Sequence, residues 1–135
     1  MASGRRRDER GSALVDLTLV SVVLLPIVLG IVQVALVLHV RATLAAAASE
    51  GARLAATAGS SPGEGVARTR SQIAGAVGAG YARDVEVHRV TIDGAPAIEI
   101  TVRAEVPALG LGGPAVELSV SGRAVQEDAP DGEGR

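Results

Sequence analysis

The chain has 135 residues, a formal net charge of −2, one aromatic residue (Tyr81) and no cysteine. The lack of cysteine excludes disulfides and thiolate metal sites. The acidic balance and the scarcity of aromatic side chains argue against nucleic-acid binding. A chain of this length accommodates one domain of modest size.

An uncharged apolar segment lies near the N-terminus. Residues 17–38 hold no charged residue and are rich in Leu, Val and Ile. As a helix at ~1.5 Å per residue they span about 33 Å, enough to cross the ~30 Å hydrocarbon core of a bilayer. We therefore expect a leader over residues 1–11 and a transmembrane helix over residues 12–40, in contact with membrane lipid.

The arginines that flank this segment predict its orientation. Four stand within the first ten residues: Arg5, Arg6, Arg7 and Arg10. Only Arg41 and Arg53 follow within about 15 positions of the segment, and the flank richer in arginine stays in the cytoplasm. The abundance of Arg, Ala, Val and Gly suggests a G+C-rich bacterial genome. The sequence thus predicts a single-pass protein of a bacterial cytoplasmic membrane, with the C-terminal part outside the cytoplasm.

Two ordinary interpretations of the apolar segment remain open. A cleavable secretory signal has an apolar core of about 7–15 residues, shorter than this one, and predicts release of the outer part near Ala48. A signal anchor is not cut and predicts an envelope protein whose outer domain binds a partner protein.

A third interpretation depends on Gly11 and Asp16. Gly11 ends the charged leader, and Asp16 is the fifth residue after it. This spacing resembles a prepilin processing site, where a membrane peptidase cuts between Gly11 and Ser12. A carboxylate close to the bilayer is costly unless it is paired. Asp16 is therefore expected to pair with the new α-amine of Ser12, of the same or a neighbouring chain.

The helical pattern continues over residues 41–58, where alanine, the best helix former, dominates. Small residues recur at every fourth position along two faces: Ala47, Gly51, Ala55 and Ala48, Ala52, Ala56. These faces allow another helix to approach closely, and Leu44 and Leu54 are expected to add larger apolar contacts. Glu50 and Arg53 are interpreted as an exposed ion pair of roughly a few tenths of a kcal/mol; contact of either residue with the sheet or a second subunit is the alternative.

Residues 10–56 resemble the TadE family of pilin-like proteins of the tight-adherence (Flp-type) pilus system. The matching features are the Gly11–Asp16 spacing, Pro26, Gly30 and residues 48–53, ASEGAR, which are similar to the family's A-x-E-G-A-R signature. Where the family has Glu followed by an aromatic residue, this chain has Asp16 and Leu17.

The resemblance implies a minor pilin or pseudopilin, a membrane-anchored component of pilus assembly or secretion. Its implied partners are other pilin-like subunits, pilus assembly proteins and a prepilin peptidase. The residues assigned to helix packing are Ala47, Glu50, Gly51, Arg53 and Ala55.

Beyond the Gly-, Ser- and Pro-rich residues 59–65, a second helix is predicted over residues 66–80. Three strands follow at residues 85–92, 97–106 and 116–120, the middle one alternating polar and apolar residues without a break. Asp93 and Gly94 predict a hairpin turn, and a change of phase near Arg89 and Val90 suggests a bulge. We expect residues 59–127 to form a small extracytoplasmic α+β domain, and residues 128–135 to be a disordered tail.

The predicted fold is α+β and pilin-like. A long N-terminal transmembrane helix extends outside the membrane and is followed by a short second helix and a small three-stranded antiparallel sheet. No catalytic or metal-binding pattern accompanies it: His39 and His88 are far apart, and the glycine-rich pieces lack the lysine of a phosphate loop. We expect no enzyme, no cofactor and no small-molecule substrate.

Overall fold

The computed structural model describes residues 5–108 and 114–127, with side chains from Gly11 onward. The predicted tail of residues 128–135 therefore lies outside the described residues. The chain divides into two compact units, Met1–Leu36 and Val37–Arg135. The predicted α+β class is confirmed, since a long apolar helix precedes a short helix and a three-stranded antiparallel sheet.

Helix α1, Arg5–Ala56, is 52 residues long and begins in the first unit. It is the one helix, within the described ranges, that is long and apolar enough to cross a membrane. The side chains from Gly11 to Val32 are all exposed, as lipid-facing side chains are. Pro26 lies inside the helix, a position that membrane helices tolerate because neighbouring groups replace the lost backbone hydrogen bond.

Helix α2, Pro62–Ala76, begins with a capping box. The Ser61 hydroxyl accepts a hydrogen bond from the Glu64 N–H at 3.3 Å, and the Glu64 carboxylate accepts one from the Ser61 N–H at 2.6 Å. These bonds satisfy backbone donors that the first turn leaves free. The bond from the Ser61 N–H, together with one that the Ser61 hydroxyl donates to Glu64 Oε2 at 3.1 Å, lowers the pKa of the Glu64 carboxyl group.

The position of α2 differs from the prediction of residues 66–80. It starts earlier because Pro62 occupies the first turn, where a missing N–H costs nothing. It ends earlier because Gly78 takes a φ of 111°, which a helix does not accommodate. A 3₁₀ turn, Ala79–Ala82, follows.

The sheet consists of β1 (Asp84–Ile92), β2 (Ala95–Pro107) and β3 (Ala115–Val125), in that order. Asp93 and Gly94 have φ values of 50° and 84°. Two left-handed residues in a two-residue loop match the right-handed twist of the flanking strands. The predicted hairpin turn is therefore present.

The bulge suggested near Arg89 and Val90 was wrong. Pairing between β1 and β2 runs without interruption from Asp84 opposite Arg103 to Ile92 opposite Ala95. The change of phase has another cause. Arg89 lies on the same face of β1 as Val85, but near the hairpin end this face is exposed. A polar side chain there stays hydrated, so the apolar alternation ends although the strand pairing continues.

The core lies between one face of the sheet and the two helices. Buried apolar side chains come from every layer: Val40 and Leu44 of α1, Ile73 of α2, and Ile98, Ile100, Val102 and Val106 of β2. The expected contact by Leu44 is present, whereas Leu54 is 37 % exposed. Leu54 is not part of the buried core cluster, so the larger apolar contact expected of it stays a prediction.

The other face of the sheet is polar. Arg123 Nε donates to Glu99 at 2.7 Å, and Arg103 donates to Glu86 at 3.0 Å. Both contacts join directly neighbouring strands and lower the pKa values of the two carboxyl groups. This face is the solvated one that the alternation of β2 predicted.

Gly122 of β3 lies against the backbone of α1. A Cβ atom at this position would overlap the backbone N of Ser49 and the carbonyl carbon of Ala48. The sheet can therefore approach α1 this closely only where β3 lacks a side chain.

We expect Gly122→Ala to destabilise the second unit by about 1–3 kcal/mol, since the added methyl group meets helix backbone rather than a movable side chain. Gly75→Ala is the matched control, because a Cβ at Gly75 meets nothing within 4 Å; this change is expected to stabilise α2 by ~0.5–1 kcal/mol. Urea unfolding of the full chain in detergent, followed by Tyr81 fluorescence, measures both. Equal stability of the two variants would contradict the packing described.

Candidate functional site: the leader junction and the crossing segment of α1

The first group of predicted site residues lies at the leader junction, residues 11–16. Gly11, Ser12 and Asp16 all belong to α1 and are exposed. A Cβ atom at Gly11 would meet nothing within 4 Å. Ser12 and Asp16 stand four residues apart, hence on the same face of the helix. The geometry leaves the junction open to a second protein, and its cleavage stays a prediction.

The second group lies in the crossing segment, residues 47–55. Here α1 meets α2 with glycine on both sides. A Cβ at Gly51 would overlap the Thr69 hydroxyl and lie 2.7 Å from the Gly65 carbonyl oxygen, and a Cβ at Gly65 would lie 2.6 Å from Ala55 Cβ. The two helix backbones are thus in direct contact, which only small residues permit. Ile100 of β2 closes the third side, 3.1 Å from the same Gly51 position.

Thr69 is the one polar residue among the buried residues that the structure describes. Its hydroxyl oxygen lies 2.9 Å from the Gly65 carbonyl oxygen and 3.3 Å from the Ala47 carbonyl oxygen. Both acceptors are backbone groups, one on each helix. The hydroxyl proton is therefore satisfied at the point where the two backbones meet, and burial of this polar group costs little.

Glu50 pairs with a residue of α2 and not with Arg53. Arg68 donates to Glu50 Oε1 from Nη2 at 2.8 Å and from Nε at 3.1 Å. Both side chains are about half exposed, so the pair contributes little to stability in water. A hydrogen bond from Gln72, followed by those from Arg68, lowers the pKa of Glu50. The interpretation of Glu50 and Arg53 as an ion pair was wrong, because α2 offers a closer arginine.

Arg53 lies in the last turn of α1 and is exposed. A basic side chain there is favourable because it faces the negative end of the helix dipole. The neighbouring C-terminal carbonyl of Ala56 accepts a hydrogen bond from the Glu127 N–H at 3.0 Å. The end of α1 is thus joined to the residues that follow β3.

Sequence reasoning missed the α2 side of this contact. Gly65, Arg68 and Thr69 were not singled out, although Gly65 and Thr69 stand four residues apart, the spacing of a face that another helix can approach. Gly122 was missed as well. It sits in a strand, and nothing in the local sequence marks which strand glycine meets a helix.

An open groove of about 500 Å³ runs between α1 and α2, lined by Thr43, Ala46, Glu50, Gln72 and Gly75 among others. Among residues 11–108 and 114–127, no group of three or more His, Asp or Glu side chains could hold a metal ion. The contacts observed in the crossing segment are packing contacts of α1 with α2 and β2.

These features define a class of protein: a small α+β domain carried on one apolar helix suited to a single membrane crossing. Comparison with known families is more specific. Residues 11–53 match the family model described as TadE-like protein, which confirms the resemblance seen in the sequence and covers both the leader junction and most of the crossing segment. No curated protein and no solved structure gives a significant match.

The match associates this chain with the pilus-related proteins of the tight-adherence system. TadE-like proteins are structural components of pili and are not known as enzymes. The apolar α1 fits a single-pass membrane protein of such a system.

Replacing Thr69 tests the crossing of α1 and α2. Thr69→Val keeps the volume and removes the hydroxyl, so we expect a loss of about 1 kcal/mol in the free energy of unfolding. Thr57→Val is the control, since the exposed hydroxyl of Thr57, which follows α1, bonds the Arg53 carbonyl four residues earlier; its effect should stay within ~0.5 kcal/mol. Urea unfolding of the full chain in detergent compares them, and a larger loss for Thr57→Val would refute the role given to Thr69.

Proposed function

We propose that the protein is a minor pilin or pseudopilin of a tight-adherence pilus apparatus, anchored in the cytoplasmic membrane by α1. The observation that carries the proposal is the TadE-like match over residues 11–53. That stretch contains the features a pilin-like subunit needs, namely a junction for leader removal, an apolar helix and a segment of small residues. Its partners are other pilin-like subunits, pilus assembly proteins and a prepilin peptidase.

In this proposal the N-terminus faces the cytoplasm and the second unit lies outside it. The distribution of arginine supports this orientation, because the N-terminal flank is richer in basic residues than the flank that follows. The sheet and α2 then form the part that other subunits meet outside the membrane. Its polar face and open groove are surfaces for protein contacts, and nothing about them requires a small-molecule substrate or a nucleic acid.

The leader junction is the substrate of the peptidase in this proposal. Gly11 is exposed and has no neighbour within 4 Å of a Cβ position, so the peptidase can reach it without unfolding the second unit. After cleavage, Ser12 carries a free α-amine. Asp16, one helical turn away, supplies a negative charge for that amine or for the amine of a neighbouring subunit.

Mass spectrometry of the protein from its native host tests leader removal. We expect a mature chain that begins at Ser12. Gly11→Leu should leave the leader in place because the bulky side chain alters the cleavage site, whereas Gly4→Leu, which changes a glycine elsewhere in the leader, should be processed normally. An intact Met1 leader on the whole pool of the unaltered protein would defeat this part of the proposal.

Substitution of Asp16 separates this proposal from an uncut envelope protein. We expect Asp16→Asn to insert in the membrane but to lose pilus assembly and surface attachment, because the amide cannot neutralise an α-amine. Asp16→Glu keeps the charge and should retain both. Membrane fractionation controls for insertion. Normal assembly by the Asn variant would instead favour a single-pass envelope protein whose outer domain binds a partner.

A further inference from the structure

Contacts between α1 and β3 define which end of the second unit adjoins the apolar segment. The Ala56 carbonyl accepts a hydrogen bond from the Glu127 N–H, and Gly122 lies against Ser49. The two elements therefore run in the same direction. The start of β3 lies toward Val37, the residue at which the second unit begins.

The start of β3 also reaches about as far as the end of the apolar segment. Between Val37 and Ser49, α1 rises about 18 Å. Between Ala115 and Gly122, β3 rises about 23 Å. Val37 belongs to the uncharged apolar segment. This end of the sheet is thus level with the surface of the membrane that the segment is expected to cross.

The end of the sheet near Val37 is uncharged. We call it the rim, and it consists of Pro107, Pro114, Ala115 and Val116, with Pro107 and Ala115 paired across β2 and β3. Val116 is 43 % exposed, although Leu118 on the same face of β3 is buried. The opposite end of the unit carries exposed charges at Asp93 and Glu127. The second unit therefore presents an apolar end toward the membrane segment and a charged end away from it.

A groove of about 580 Å³ lies beside the rim, and its lining includes Tyr81, Arg83 and two of the rim residues. Tyr81 is half-buried and packs against the core, and tyrosine is enriched where hydrocarbon meets lipid headgroups. The exposed guanidinium of Arg83 suits a phosphate group. Glu105 and Glu117, also in the lining, lie opposite each other on β2 and β3. Such a pair of like charges is unfavourable, and a lipid ammonium group offsets it.

We propose that the rim and this groove rest on the headgroups of the membrane that α1 crosses. Lipid of the same membrane is the partner because the rim lies level with the end of the apolar segment, and α1 joins the two without a break. Charges of both signs in the groove suit zwitterionic headgroups. The contact holds the second unit against the bilayer. The proposal rests on the membrane anchoring given under the proposed function, and not on leader removal or on a role in a pilus.

Fluorescent probes on single cysteines test the contact, because the chain has no native cysteine. The purified full chain is reconstituted into vesicles of phosphatidylethanolamine and phosphatidylcholine that carry a quenching spin label on the headgroup. Val116→Cys places the probe on the rim. Val125→Cys is the matched control, since this valine is 50 % exposed at the other end of β3. We expect the first probe to lose most of its emission and the second, about 30 Å away, almost none.

A third probe, at Val28→Cys, separates this proposal from the anchoring on which it rests. With the spin label on the acyl chains, a probe inside the apolar segment is quenched if α1 crosses the bilayer. Quenching at Val28 together with equal quenching at Val116 and Val125 overturns the lipid contact and leaves the anchoring intact. No quenching at Val28 overturns both. A Val116 probe that is shielded from aqueous iodide but not quenched by lipid assigns the rim to a protein partner and also overturns the proposal.

The unaltered chain offers a second measurement, because Tyr81 is its one aromatic residue. We expect the headgroup label to quench Tyr81 emission. Val116→Glu should lose part of this quenching, since a carboxylate on the rim opposes contact with the interface, whereas Val125→Glu should not. Circular dichroism checks that both variants fold. Equal quenching of Tyr81 in the two variants would contradict the role given to the rim.

Discussion

The structure depends on how closely other elements approach α1. Where α2 crosses it, Gly51 faces Gly65, and where β3 crosses it, Gly122 lies against helix backbone. At such distances even one methyl group is too large. Small residues allow these short distances. They also contribute little apolar surface themselves, so the helices and the sheet must lie close together for the larger core side chains to touch. A unit of this size, with no disulfide, depends on such close packing for its stability.

The composition of α1 changes along its length. From Leu17 to Val32 most side chains of α1 are large and apolar, and all are exposed, as a lipid solvent favours. In the second unit alanine and glycine replace them on the buried side, and the larger apolar groups come from β2. The change from large to small side chains follows from what packs against the helix. Fluid lipid adapts to side chains of any size, whereas the sheet lies at a fixed distance from the axis of α1 and leaves room only for small residues. The TadE-like match spans this change, from residue 11 to residue 53.

Local patterns made much of the fold predictable. The apolar run and the alanines define α1, the strict alternation of β2 defines its two faces, and Asp93 with Gly94 defines the hairpin. Other features were harder. The start of α2 depended on recognising Ser61 and Glu64 as a capping box. The partner of Glu50 is Arg68, 18 residues away, and the contact of Gly122 depends on where β3 crosses α1. Such pairings arise from tertiary packing, which no short stretch of sequence encodes.

The core of the second unit begins before the apolar run ends. Val40 is 2 % exposed, and Val37 packs against the same cluster, although in the sequence both read as part of the membrane segment. Water-soluble versions of the outer part made by truncation must therefore retain these two valines. Cutting at the predicted end of the span would open a hole over the sheet and expose Ile and Val side chains beneath it.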